Sequence, residues 1–193
     1  MRYANTVPLL LTAARALLGP VVLLVALFHP NKPLFGAILV VAFLSDIFDG
    51  IVARRLKVAT TNLRRMDSIA DSVFYVSATV AAWLLYPDVI REHSTALWVL
   101  VLLELVRYAF DYAKFKREAS YHMWSSKAWG IFLFVGFFSL LALGQEGALA
   151  VLPIYVGIIA DLEGLAISVV LPGWRADVPS LVHAVRYRAT KRA

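Results

Sequence analysis

The chain of 193 residues contains no cysteine, so disulfides, thiolate metal sites and cysteine nucleophiles are excluded together. Its four histidines, His29, His93, His122 and His183, are too scattered to suggest a histidine metal cluster. Charge is scarce as well, with 17% of residues charged against about 25% in soluble domains. Glycine and proline form no low-complexity tract, and no internal repeat is found. Any metal bound here must therefore sit on oxygen, and the 13 acidic residues are its main source.

Apolar residues are abundant instead. They make up 61% of the chain, with a mean hydropathy of +0.73, which excludes an ordinary water-soluble globule. A bilayer crossing needs about 20 predominantly apolar residues. Apolar runs and their breakers predict six spans, near 8–28, 34–54, 67–86, 95–115, 127–143 and 148–171. The breaks are His29-Pro30-Asn31-Lys32-Pro33, Pro87-Asp88 and Gly144-Gln145-Glu146-Gly147, none of which favours a continuing helix. Arg2 before an apolar stretch resembles the start of a signal peptide. Arg15 interrupts that stretch and no small-x-small cleavage site follows, so it is expected to remain as the first span. The expectation is an all-α integral membrane protein with six transmembrane helices, read as a single membrane domain over residues 1–193.

The net charge of +6 could suggest nucleic acid, but in a membrane chain an excess of Lys and Arg marks the cytoplasmic loops, so no nucleic-acid partner is expected. Fifteen of the nineteen cations fall at the N-terminus, in the second-to-third and fourth-to-fifth connections, or in the C-terminal tail; only Lys32 and Arg91 lie on the other side. Both termini are then cytoplasmic, in an inner or plasma membrane. Trp83 and Trp98 are expected in one interfacial belt, and Trp124, Trp129 and Trp174 in the other. The tail from Pro179 to Arg188 predicts a short basic amphipathic helix, with Leu181, Val182 and Val185 on one side, lying on the anionic inner leaflet.

One passage is not explained by membrane packing: Asp46-Ile47-Phe48-Asp49-Gly50-Ile51-Val52-Ala53-Arg54, followed by Asp67-Ser68-Ile69-Ala70-Asp71. Asp46 and Asp49 are three apart and Asp67 and Asp71 four apart, so on helices each pair projects from one face. Two helix ends joined by a short loop can bring the pairs together. Four anions converging near hydrocarbon would repel one another and lose hydration, which calls for cations. With only carboxylate oxygen and water available, Mg²⁺ or Mn²⁺ is favoured over zinc, and four carboxylates can hold two such ions in the arrangement used for phosphoryl displacement. The nearby Arg54, Arg55, Lys57, Arg64 and Arg65 suit phosphates.

These residues resemble the signature of the CDP-alcohol phosphatidyltransferases, D-x2-D-G-x2-A-R-x8-G-x3-D-x3-D, at Asp46, Asp49, Gly50, Ala53, Arg54, Asp67 and Asp71, seven of its eight fixed positions. Leu63 stands where the signature has its second glycine. Pro8, Leu11, Thr12 and Arg15 are similar to the family's opening P-x2-L-T-x2-R segment. The resemblance implies that an alcohol attacks a CDP-linked lipid donor such as CDP-diacylglycerol and that CMP leaves. It implies two Mg²⁺ or Mn²⁺ ions on Asp46, Asp49, Asp67 and Asp71, with Asp71 also the catalytic base. Gly50 and Ala53 would leave room for the cytidine and Arg54 would lie near the phosphates.

Small residues at Gly50 and Ala53 also permit close helix packing, a reading of equal weight from the residues alone. Arg107 and Lys127 are the expected acceptor-binding cations, although Arg107 could simply neutralise Glu104 one turn earlier and Lys127 could snorkel to the interface. Asp161 and Glu163, two apart in the last span, point to different faces, and one is expected to pack against a polar partner. Expected partners are the lipid donor, a small alcohol or phosphorylated polyol acceptor such as glycerol 3-phosphate, membrane lipids, and a homodimer as an open option. Two other readings compete: an intramembrane cation or proton transporter, and a non-catalytic relative that binds nucleotide or lipid without turnover.

Overall fold

The computed structural model describes residues 6–56 and 60–190, with the backbone alone at residues 6, 53, 54, 61, 62 and 64. Among the described residues there is no strand, as the apolar periodicity led one to expect. The helices are α1 (Thr6–Phe28), α2 (Lys32–Arg55), α3 (Thr61–Leu85), α4 (Pro87–Glu92), α5 (Ser94–Phe115), α6 (Trp124–Phe137), α7 (Ala148–Val170) and α8 (Leu181–Thr190). A π-helical turn, Phe138–Ala142, continues α6.

Helix ends follow the local chemistry. The Asn31 side chain accepts the Leu34 N–H at 3.0 Å at the start of α2, and the Thr60 hydroxyl accepts the Leu63 N–H at 3.2 Å at the start of α3. The third helix stops before Pro87, which in turn opens α4, since proline lacks an N–H but suits a first helical position. At the end of α5, Lys116 takes a left-handed conformation at φ 59° and its N–H closes on the Tyr112 carbonyl.

Five helical segments are long and apolar enough to cross a membrane: Val7–Phe28, Lys32–Val52, Arg65–Leu85, Trp124–Ala142 and Ala148–Val170. Among the described residues, five of the six expected spans meet this measure of length and apolarity. The segment left out, α5, is 22 residues long but carries Glu104, Arg107, Asp111 and Lys114. Several apolar helices in one chain make this a multi-pass membrane protein.

The chain forms two compact units. The first comprises residues up to Ile90 together with Phe137–Glu146. Here α1 packs against both α2 and α3, and α2 also packs against the π-helical turn. On α1 the buried positions are Pro8, Thr12, Arg15, Gly19, Val22 and Ala26, a regular three-and-four spacing, while Leu10, Leu17 and Leu24 are exposed. This helix therefore hides its polar residues and turns leucine outward, the pattern expected where the surrounding solvent is lipid. Phe35, Leu39, Ala42, Ser45 and Asp49 form the matching seam on α2, and Ala70, Phe74, Ser77, Ala78 and Ala81 that on α3. Close approach of α1 to α3 depends on Gly19, where an added Cβ would lie 3.1 Å from the Val73 carbonyl oxygen and 3.2 Å from the Phe74 Cα.

The second unit comprises Arg91–Gly136 and the chain from Gly147 onward. Its helices α5 and α7 pack together, and α8 packs against α7. Tyr121, Met123, Ile167, Leu171, Val178 and Ala184 form its buried apolar cluster, with Leu181 and Tyr187 packed against it. The predicted C-terminal helix is present, but its apolar residues divide: Leu181 packs inward while Val182 and Val185 are exposed. Glu163 is the reason for this setting, because its carboxylate accepts the Leu181 N–H at 3.0 Å and fixes the start of α8 against α7. Trp129 lies against the backbone of Gly157, where an added Cβ would be 2.7 Å from its ring. Trp83, Trp98, Trp124 and Trp174 remain exposed.

Candidate functional site

The four aspartates of the sequence pattern meet in the first unit, and they meet around a residue of α1. Asp46 and Asp49 lie near the C-terminal end of α2, and Asp67 and Asp71 near the N-terminal end of α3. A connection of only a few residues between those ends lets both pairs face the same side of α1. Oxygens of Asp46, Asp49 and Asp67 all lie within 4.8 Å of one another. Between the carboxylates lies the Arg15 guanidinium, buried to 2% side-chain exposure. Its Nη1 pairs with Asp46 and, at 3.0 Å, with Asp71; its Nη2 pairs with Asp67 and, at 3.0 Å, with Asp49. Thr12, one turn earlier, donates to the Pro8 carbonyl at 3.0 Å and its hydroxyl also lies 3.5 Å from Asp49.

The site is open on one side. The Asp49 carboxylate is 6% exposed and forms the floor with Arg15, whereas Asp46, Asp67 and Asp71 are 35–46% exposed. Three of the four carboxylates are thus accessible from outside the helix packing. Four anions against one guanidinium leave an excess of negative charge at the edge of apolar helices, and hard oxygen ligands are what Mg²⁺ or Mn²⁺ prefers. The donor set therefore fits divalent metal.

Other expected site residues fall as follows. Gly50 is next to Asp49 on α2. The side chains of Ala53 and Arg54 lie outside the described residues. Leu63 is in the first turn of α3, its N–H held by Thr60, so at this position the chain is ordinary helix. Arg107, in the second unit, does not simply cancel Glu104: its Nε lies 3.2 Å from the buried Asp161 carboxylate, and Glu104 is 4.0 Å away. Asp161 and Glu163 each find a partner, Arg107 for the first and the α8 N-terminus for the second. Lys127 is exposed and places its ammonium 5.2 Å from the centre of the Trp124 ring, a cation–π contact suited to an interface. In the same unit the Lys114 ammonium donates to the Ser168 and Val169 carbonyls at 2.7 and 3.0 Å, capping the end of α7.

Sequence reasoning noted Arg15 only as an interruption of an apolar run and as part of an opening motif; its place among the carboxylates was missed, and so was that of Thr12. A signal existed. An arginine inside a span is expected to face a polar partner, and Pro8, Thr12 and Arg15 share one helical face.

Comparison with known proteins gives the chain a family. The chain is 37% identical over 84 residues to the CDP-diacylglycerol--glycerol-3-phosphate 3-phosphatidyltransferase of Rickettsia prowazekii (strain Madrid E), covering 42% of this chain and 45% of that protein. It is 38% identical over 77 residues to the protein of the same name from Rickettsia bellii (strain RML369-C), covering 38% of this chain and 41% of the relative. The chain thus spans under half the length of the curated relatives it matches. No solved structure matches it. A family model described as CDP-alcohol phosphatidyltransferase matches residues 5–170, a stretch that holds α1, all four aspartates and Arg15, and the chain therefore belongs to the CDP-alcohol phosphatidyltransferase family.

Proposed function

We propose that the chain is a metal-dependent phosphatidyltransferase that moves a phosphatidyl group from CDP-diacylglycerol to the primary hydroxyl of glycerol 3-phosphate and releases CMP. The observation that carries this reading is the convergence of Asp46, Asp49, Asp67 and Asp71, from two helix ends, on a site with a buried floor and an open mouth. The names of the two relatives supply the donor and the acceptor.

Asp46, Asp49, Asp67 and Asp71 would hold Mg²⁺ or Mn²⁺, two ions in the fullest form of the proposal. When bound, such ions polarise the diphosphate and neutralise charge on the departing nucleotide. Asp71, exposed on the open side, takes the proton of the acceptor hydroxyl. The hydroxyl oxygen bonds to the phosphorus next to the diacylglycerol, the bond from that phosphorus to the CMP oxygen breaks, and CMP leaves with the electron pair. Gly50, Ala53 and Arg54 follow on α2 and are proposed for the nucleotide. Arg107 and Lys127 are proposed for the acceptor, with the condition that a phosphate on Arg107 must compete with Asp161.

We further propose six crossings, with α5 as the sixth. Its length of 22 residues supports this, at about 1.5 Å per residue. So does the partnering of its charges: Arg107 with Asp161 and Glu104, and Lys114 with the end of α7. The single-domain reading over residues 1–193 is supported by a family match that runs through both units. Exposed Val182 and Val185, beside Arg186 on α8, favour a place for that helix on the anionic leaflet. A transporter would need acids along a path across the bilayer, and the quartet is instead gathered at the paired ends of α2 and α3.

The test is release of CMP from radiolabelled CDP-diacylglycerol by the purified chain, with and without glycerol 3-phosphate. Acceptor-dependent release that stops in excess chelator and returns with Mg²⁺ or Mn²⁺ is the expected result. Undiminished release in chelator would sink the metal reading, and none with any acceptor would favour the non-catalytic relative.

A further inference from the structure

A guanidinium buried among four carboxylates bears on how the quartet takes up metal, and the inference rests on reading the quartet as a metal site. Arg15 remains cationic under all ordinary conditions, and its two terminal nitrogens carry two hydrogens each. Those two atoms divide the quartet between them, Asp46 and Asp71 on Nη1 and Asp49 and Asp67 on Nη2. The remaining nitrogen, Nε, is buried with no hydrogen-bond partner, so the fork is oriented by the carboxylates at its tip. Asp46, Asp49 and Asp67, each paired with Arg15, also offer oxygens within 4.8 Å of one another, close enough to hold one ion.

We propose that Arg15 is the quartet's built-in counter-ion and competes with divalent metal for the same oxygens. In chelator the guanidinium screens four like charges that two helix ends force together. When a divalent ion arrives, its charge opposes that of Arg15, and the guanidinium must give up some of its carboxylates or share them. Arg15 thereby weakens metal affinity while stabilising the fold without metal, and it links the seating of α1 against α2 and α3 to metal loading. It is a positioning residue that acts through the carboxylates.

The experiment uses the full chain in detergent micelles, Mn²⁺ as the probe, loss of the free Mn²⁺ resonance as the binding readout, and tryptophan fluorescence melting in chelator and in saturating Mn²⁺. Arg15→Gln removes the charge and keeps a polar side chain. It should bind Mn²⁺ at least about tenfold more tightly than the parent, because a unit charge near the ion is gone. It should also melt lower in chelator, and gain more from Mn²⁺, since tighter binding raises the ligand's stabilisation. Folding only in the presence of Mn²⁺ would be the same result in a stronger form. A merely structural arginine predicts an equal drop in melting temperature with and without metal and an unchanged or weaker affinity, and that outcome overturns the proposal.

If Arg15→Gln fails to fold in both conditions, Arg15→Lys decides. Its single ammonium cannot fork to four carboxylates, so Mn²⁺ binding should tighten several-fold, and parental affinity would overturn the proposal. Parent protein that binds Mn²⁺ regardless of residue 15 refutes the counter-ion role alone. Parent protein that does not bind Mn²⁺, with Asp49→Asn making no difference, refutes the metal reading and the counter-ion role with it.

Discussion

At the scale of single residues, the quartet shows why aspartates of one motif need not be equivalent. Asp49 sits on the buried floor beside Thr12 and Arg15, whereas the Asp71 carboxylate is partly exposed. Asp71→Asn should lower CMP release by roughly 10²-fold or more, the range for loss of a positioned base, with the melting temperature in chelator little changed. Asp49→Asn should lower both turnover and Mn²⁺ binding, read in the same titration. Leu63 is a second informative residue, since it replaces the family glycine within a capped first helical turn. Leu63→Gly should lower the KM for a CDP-linked donor if the isobutyl group narrows the nucleotide pocket, and leave metal dependence as it is. The change should also cost about 1 kcal/mol of stability through poorer helix propensity, so rates must be compared per folded molecule. A raised KM in folded protein would mean that the leucine packs productively.

Helices are positioned for this chemistry by small side chains and caps. Asp67 and Asp71 reach Arg15 from α3, which α1 approaches closely at Gly19, against backbone atoms that cannot swing aside. Gly19→Val should therefore push the two helices apart, destabilise the protein by roughly 1–3 kcal/mol as overpacking does, and weaken Mn²⁺ binding although residue 19 touches no carboxylate. Melting and Mn²⁺ titration of the same preparation check both effects, and normal affinity at a lowered melting temperature would show that the α1–α3 spacing does not set the site. In the second unit a comparable structural function falls to Glu163, whose carboxylate holds the first turn of α8.

For the whole molecule, the decisive quantity is the sidedness of charge. Fifteen cations against two predict that the connection holding residue 60 and the tail holding residue 190 are cytoplasmic, and that residues 31 and 146 face the opposite side. Because the chain has no cysteine of its own, Thr60→Cys, Thr190→Cys, Asn31→Cys and Glu146→Cys can each serve as a unique label site. The first two should react with an impermeant maleimide only from the cytoplasmic side, and the last two only from the other. Labelling of residues 60 and 31 from one side would overturn the orientation, and labelling of residues 60 and 146 from one side would overturn six crossings.

Much of this protein is written locally. Apolar runs with breakers fixed the long helices to within a few residues at most ends, because helix propensity, proline and the need to satisfy backbone groups in lipid all act over short distances. Spacing likewise placed Asp46 with Asp49 and Asp67 with Asp71, since the helical repeat alone puts such residues on a common face. Other features depended on contacts between residues far apart in the chain. That Arg15 binds four aspartates 31 to 56 positions away, that Arg107 takes Asp161 over Glu104, and that Trp129 fills the slot at Gly157 were decided by helix packing. A sequence states which side chains carry charge or bulk; only the tertiary structure, by bringing one helix face against another, chooses which opposite charge each one meets.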